Sequence, residues 1–175
     1  MIAERDERAF DEFVVGSADR LLRTAYLMCG DRGHAEDLVQ IALLRVARRW
    51  HSARGHPEAY ARRVLVNLTK DRWRNLSRRP LEVPLYSGAE ATIVVSETQL
   101  VVERDELLQA ARRLPDGQRT VLVLRYFDDL SVEETAATLG CSPGTVKSQT
   151  SKALLALRAE LTRHTYSMRE SQHAR

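Results

Sequence analysis

The chain has 175 residues, of which 43% are hydrophobic and 29% charged. Such a composition excludes a chain disordered throughout, and the length suits one domain or two small ones. A net charge of +3 is too small to point to a partner, so the positions of the charges must do so.

The N-terminal stretch MIAERDERAFDEF is charged and lacks the apolar centre of a signal peptide. Helical periodicity follows: Phe10, Phe13, Val14, Leu21, Leu22, Ala25 and Tyr26 recur at three- and four-residue steps. Gly30 to Gly33 breaks the pattern, and Asp31 is placed to cap a second helix. That helix carries Leu38, Ile41, Ala42 and Val46 on one side, with Val39, Leu43 and Trp50 beside them. An apolar arc this wide predicts packing on two neighbours. Polar Asp37 and Gln40 interrupt it, with Glu36 beside them. They mark either a protein-facing surface or acids placed for the helix dipole.

His51 to Pro57 contains Gly55 and Pro57 and reads as a loop. A third helix is predicted over about residues 58–75, with Ala61, Val64, Leu65, Leu68 and Trp73 as its apolar set. Opposite them Arg63, Asn67, Lys70 and Arg74 form a polar stripe. Cations around an amide suit a nucleic-acid backbone with one base-reading group, and Tyr60 can stack on an unpaired base. A solvated basic face is the plainer alternative, with Asp71 an intrahelical partner of Arg72 or Arg74.

Residues 62–79 hold seven cations against Asp71, whereas residues 81–106 hold six acids against Arg104. The sign reverses at Pro80, which marks the expected domain boundary. The predicted organisation is a first domain over 1–80, an acidic linker over 81–100, a second domain over 101–165 and a polar tail over 166–175. Only Thr92 to Ser96 looks strand-like, and a lone strand has no pairing partner. The fold class is therefore all-α, in two small helical domains.

The second block begins near Val101. Leu107, Leu108, Ala111 and Leu114 give one face, and Pro115 ends it. Val121, Leu122, Leu124, Tyr126 and Phe127 form the next helix, closed by Asp128 and Asp129. Ser131 to Glu134 is a capping box, Gly140 ends the helix it starts, and Ser142-Pro143 opens another. A short helix, a tight Gly-containing turn and a second capped helix spell a helix-turn-helix. On the second helix Val146, Thr150, Ala153, Leu154, Leu157 and Leu161 share one arc. Thr145, Ser148, Ser151 and Lys152 fall away from it, with Lys147 and Gln149 at the flanks. A major groove accepts such a small, polar, basic face. An ordinary helical hairpin with a solvated face remains the alternative.

Cys29 and Cys141 form no CxxC pair and are expected to be small buried or half-buried thiols. The five histidines show no metal spacing, and there is no Gly-rich phosphate loop. No catalytic residue, metal or cofactor is expected, nor a membrane span, since no apolar run reaches 18 residues.

From Phe10 to Leu161 the chain resembles the extracytoplasmic-function group of sigma-70-type sigma factors. Its first block resembles sigma region 2 and its second region 4. Ala35 to Gln40 resembles the family helix that docks on the clamp helices of the polymerase largest subunit, which assigns core binding to Asp37, Leu38, Gln40, Ile41 and Leu44. Pro57 to Arg74 resembles the element that opens and reads the −10 sequence, which assigns Tyr60, Arg62, Arg63, Asn67, Lys70, Asp71 and Arg74 to DNA. Leu130 to Lys152, with Gly144-Thr145-Val146-Lys147-Ser148, resembles the −35 reader. That assigns Ser142, Thr145, Lys147, Ser148, Gln149, Ser151 and Lys152. The chain departs from the family at Tyr60, often Trp, and in the His51 to His56 loop, which has no aromatic. It departs again at Gln149, often Arg, and at Ser151, often basic or aromatic. The resemblance implies a cytoplasmic bacterial factor that partners core RNA polymerase, through clamp helices and β flap, and promoter DNA. Many relatives are held by an anti-sigma factor. The rival expectation is a helix-turn-helix regulator that binds DNA without polymerase.

Overall fold

The computed structural model describes residues 4–77 and 106–173. The expected linker and the strand-like Thr92 to Ser96 lie outside them. All regular structure among the described residues is helical. These residues form two compact units, one of residues 4–77 together with Ala137–Gly140, the other of residues 106–136 and 141–173.

The first unit comprises α1 (Glu4–Cys29), α2 (Arg32–Arg48), the short α3 (Trp50–Ala53) and α4 (Pro57–Ser77). Each of α1, α2 and α4 packs on the other two. Leu21 and Ala25 of α1, Ala35, Leu38, Val39, Ala42 and Val46 of α2, and Ala61 and Leu65 of α4 share one core. The wide apolar arc of α2 is thus explained by two neighbours, although Ile41 is outside it, 40% exposed. Met28 and Val66 are also fully buried. The expected loop at His51 begins instead with the helical turn α3, because Trp50 is drawn into the core at 5% exposure. Its ring meets Phe10 edge-on at 5.3 Å and Phe13 at 6.0 Å.

Between α1 and α2 the chain turns at Gly30, whose φ of +78° suits a residue without Cβ. Asp31 then caps α2 as expected, its Oδ1 accepting from the His34 N–H at 2.7 Å. Cys29 and Cys141 are half-buried free thiols. Cys29 Sγ donates to the Asp31 carbonyl at 3.2 Å, and burial pushes the thiol up.

His34 sits in the same turn with its Nε2 buried. Burial, and then the Arg72 guanidinium, hold its imidazole below the ordinary value of 6.5, against the opposite pull of Asp31 and Asp37. The unfolded chain therefore takes up this proton first on acidification. The neutral ring contributes stability that is present above 6.5 and lost as pH falls below it. Between about pH 7.5 and pH 5.5 the urea midpoint of the wild type is expected to fall further than that of His34→Gln. Equal falls would remove His34 from the acid response.

The second unit contains α5 (residues 106–112), α6 (Asp116–Leu122), a π-helical turn (Val123–Phe127), α7 (Val132–Leu139) up to Ala136, and α8 (Pro143–His173). Leu114, Leu122 and Ala153 form its core cluster, with Ala156 and Leu157 against them. Buried Arg119 ties the α5 end to α6, donating to the Arg112 carbonyl at 2.9 Å and pairing with Asp116. Burial pushes the Asp116 carboxyl up, and Arg119 opposes it. Leu107 was expected to face inward but is 46% exposed, and buried Ala110 takes that role.

The helix expected to run to Phe127 changes register at Val123. The Asp128 N–H reaches back five residues to the Val123 carbonyl at 2.9 Å, and the Leu130 N–H six residues to Leu124 at 3.0 Å. Asp129 at φ +53° completes this ending. The widened turn leaves Tyr126 and Phe127 60% and 40% exposed.

Helix α8 outruns the expected end near Leu161 and the polar tail beyond, continuing to His173. No glycine or proline follows Gly144 to interrupt it.

Candidate nucleic-acid interface

Two local devices set the geometry of the second unit. In the capping box Ser131 Oγ accepts from the Glu134 N–H at 3.1 Å, and the Ser131 N–H donates to Glu134 Oε2 at 2.8 Å. That starts α7. Gly140, at φ +67°, stops it, and the Cys141 N–H closes the turn on the Ala136 carbonyl at 3.0 Å. Ser142 then caps α8, accepting from the Thr145 N–H at 3.1 Å while its Oγ lies 2.9 Å from Thr145 Oγ1. The helix-turn-helix read from the spacing is therefore built, bond by bond, by the residues that predicted it.

Val146 and Ala153 are fully buried and anchor α8. Thr150 is half-buried and donates to the Val146 carbonyl at 2.8 Å, so its hydroxyl is spent within the helix. Of the expected reading residues, Ser142, Thr145, Lys147, Ser148, Ser151 and Lys152 are exposed and Gln149 is half-buried. Neither lysine makes an ion pair with another described residue. Ser148 Oγ donates to the Thr145 carbonyl at 3.0 Å, which keeps that side chain short and close to the helix. Leu154 was expected on the inner arc but is 42% exposed, because the arc narrows to Ala153, Ala156 and Leu157.

In the first unit the stripe on α4 is present, with one correction. Arg63, Asn67 and Arg74 are exposed and Lys70 is half-buried, on the side away from Ala61 and Leu65. The correction concerns Arg62, which the resemblance assigned to DNA beside the stripe. It is only 9% exposed and bridges to Glu58 at 2.9 Å, and Glu58 in turn pairs with Arg20 of α1. The guanidinium of Arg62 is withdrawn from solvent by this pair within α4, and it is Glu58, through Arg20, that ties α4 to α1. Asp71 pairs with Arg74 at 2.9 Å, as the intrahelical reading expected. Tyr60 is half-buried against the core, so only part of its ring is open for stacking.

On α2 the residues expected to dock on a protein separate cleanly. Asp37, Gln40, Ile41 and Leu44 are exposed, the last two at 40% and 53%. Leu38 is 4% exposed and belongs to the core, so it supports the face from beneath. Two apolar side chains on the crest of an outer face lose water only if something covers them. The sequence reading missed Arg45 and Arg48, which share that face. The signal was available, since both fall within about 80° of Asp37 at 100° per residue.

The chain matches two family models in order: Sigma-70 region 2 over residues 14–79 and Sigma-70, region 4 over residues 104–157. It is 40% identical over 154 residues to the RNA polymerase sigma-E factor of Streptomyces avermitilis, covering 87% of this chain and 84% of that protein. It is 31% identical over 175 residues to the ECF RNA polymerase sigma factor SigW of Bacillus subtilis, covering 91% and 92%. Its fold is similar to that of the sigma factor RpoE of Bartonella quintana, solved with the anti-sigma factor NepR. There the TM-score is 0.67 at 23% identity, over 87% of this chain and 96% of that one.

Proposed function

Since the chain belongs to the extracytoplasmic-function group of the sigma-70 family, we propose that its two helical units divide promoter recognition between them. As a sigma factor it binds core RNA polymerase and directs promoter-specific initiation. The rival reading, a regulator independent of polymerase, is set aside, because residues 14–79 match a region 2 that such a regulator would not carry. Sigma factors are not enzymes. No helix among the described residues is long and apolar enough to cross a membrane, and we place the protein in the bacterial cytoplasm with the polymerase.

The exposed face of α8, cut off from the core by Val146 and Ala153 and bearing Lys147 and Lys152, which make no ion pair with another described residue, carries this assignment. It enters the −35 major groove, where lysines neutralise phosphates or reach guanine edges and the small hydroxyls allow close approach. The α4 stripe of Arg63, Asn67, Lys70 and Arg74 holds the melted −10 strand. Helix α2 docks on the clamp helices through Asp37, Gln40, Ile41 and Leu44. The domains divide within residues 81–100, an acidic linker that occupies a channel shaped for RNA phosphates. An anti-sigma factor is a further partner, as it is for the RpoE protein above.

Each unit offers few phosphate contacts, so free DNA affinity is low. Tethering both to one polymerase raises the effective concentration of the second contact. Run-off transcription with core enzyme on a genomic fragment library tests the reading. It fails if the protein activates no promoter that core alone ignores. Lys152→Ala is expected to lower −35-dependent initiation about threefold to tenfold and to flatten the salt dependence by roughly one counterion. Unchanged output across a salt series would remove Lys152 from the groove.

A further inference from the structure

The segment between α2 and α4 is held to α1 at two places of different kinds. At its start Trp50 is buried, its ring against Phe10 and Phe13. Further on, Asp6 of α1 takes over. Arg54 Nη1 donates to Asp6 Oδ1 at 3.5 Å, and His51 Nε2 lies 3.7 Å from Asp6 Oδ2. The Asp6 side chain is 14% exposed, against 59% for Arg54 and 81% for His51, so the carboxylate is the sheltered anchor of this cluster. Side chains do not fill the space between the two attachments. A cavity of about 580 Å³ opens there, lined by Asp6, Ala9, Phe13, Trp50, Arg54 and Pro57. Apolar packing thus fixes Trp50 but stops short of Arg54. Asp6 lies ahead of residues 14–79, the part of this unit that matches Sigma-70 region 2.

Resting on the −10 reading of α4, we infer that Asp6 is a positioning residue for promoter opening. Through Arg54 it sets where the loop before α4 stands, and so where Tyr60 meets an unpaired base. The link is continuous. The Arg54 N–H donates to the Trp50 carbonyl at 2.8 Å, the His56 N–H to Ala53 at 2.9 Å, and the Tyr60 N–H to His56 at 3.1 Å. Residues 50–60 are thus joined by backbone hydrogen bonds, and a guanidinium tethered in their middle steers the start of α4. With the tether cut, Arg54 is free to follow DNA phosphates and the loop samples several positions. Opening then slows in proportion to the time the loop spends out of place. The pair is too exposed to matter for folding, since solvent-screened ion pairs contribute little to stability. Stability and opening therefore separate, which makes the role measurable.

The test measures initiation by core polymerase with the full chain on two templates, with the thermal midpoint recorded for each variant. One template is a duplex promoter, and the other is the same promoter with its −10 region held open by mismatches. Asp6→Asn is expected to lower duplex initiation about fivefold or more, and initiation from the open template less than about twofold, with its thermal midpoint near wild type. Asp11→Asn, an equal charge change at an exposed position of α1, is expected to match wild type on both. Asp6→Glu, which keeps the carboxylate, is expected to recover most of the duplex activity. Because Asp6 acts through Arg54, the pair Asp6→Asn/Arg54→Ala is expected to lose no more than Arg54→Ala alone. Equal losses on both templates, no loss on either, or losses that add in the pair overturn the inference. Arg63→Ala/Asn67→Ala separates the two levels. If that variant falls on the duplex while Asp6→Asn does not, only the role of Asp6 is wrong. If it matches wild type on both templates, the −10 reading is wrong and the inference falls with it.

Discussion

Leu65→Ala is expected to cost the first unit about 2–5 kcal/mol of stability. The side chain is fully buried in the cluster shared by α1, α2 and α4, so its loss opens a cavity where three helices meet. Relaxation is limited, because Thr69 one turn on is also buried and its Oγ1 is bound to the Leu65 carbonyl at 2.8 Å. The substitution touches no member of the second unit's cluster. A denaturant titration with probes in each unit should move the first unit's midpoint and leave the other's in place. The α4 stripe belongs to the destabilised unit, so the −10 opening proposed for it should fail at temperatures where −35 binding persists. A loss below about 1 kcal/mol would mean that the helices close over the gap.

The second large effect is expected from Gly140→Val. An added Cβ meets nothing within 4 Å, so the penalty is conformational. At φ +67° a β-branched residue is forced into the left-handed region, at a cost of roughly 1–3 kcal/mol. The turn answers by changing its dihedrals, and the angle between α7 and α8 changes with it. Run-off transcription from a −35-dependent promoter should fall at least tenfold, while affinity for core polymerase stays within about twofold of wild type. Gly140→Asn, which tolerates this backbone, should keep most of the activity. Equal losses for Val and Asn would trace the effect to side-chain bulk in the groove, with backbone strain excluded.

What could be read ahead of the structure was local. Asp31, Ser131, Glu134, Gly140 and Ser142 act within about four residues of themselves, so their pattern alone foretold their bonds. Facing was legible only where one neighbour decides it. On α2 two neighbours compete, and the sequence alone could not tell that Leu38 goes in while Ile41 and Leu44 stay out. Arg62 read as one more cation because its partners lie at Glu58 and, through it, at Arg20, 42 positions away. The register change at Val123 had no local marker, since its ending depends on Asp129 accepting a conformation usually left to glycine. The length of α8 was underestimated because polar residues were read as an ending, although none of them breaks a helix.

Recognition and scaffold in the second unit share α8. At 1.5 Å per residue its 31 residues make a rod of about 46 Å, with the turns proposed to read DNA at one extremity. Such a rod is a lever pivoted where α6 grips it, around Ala153 to Leu157. A tilt of about 10° imposed on the far turns would sweep the reading end through about 2–3 Å, more than the tolerance of a hydrogen bond to a base edge. A molecule grasping the last turns of α8 would therefore hold mechanical advantage over promoter choice without approaching the promoter.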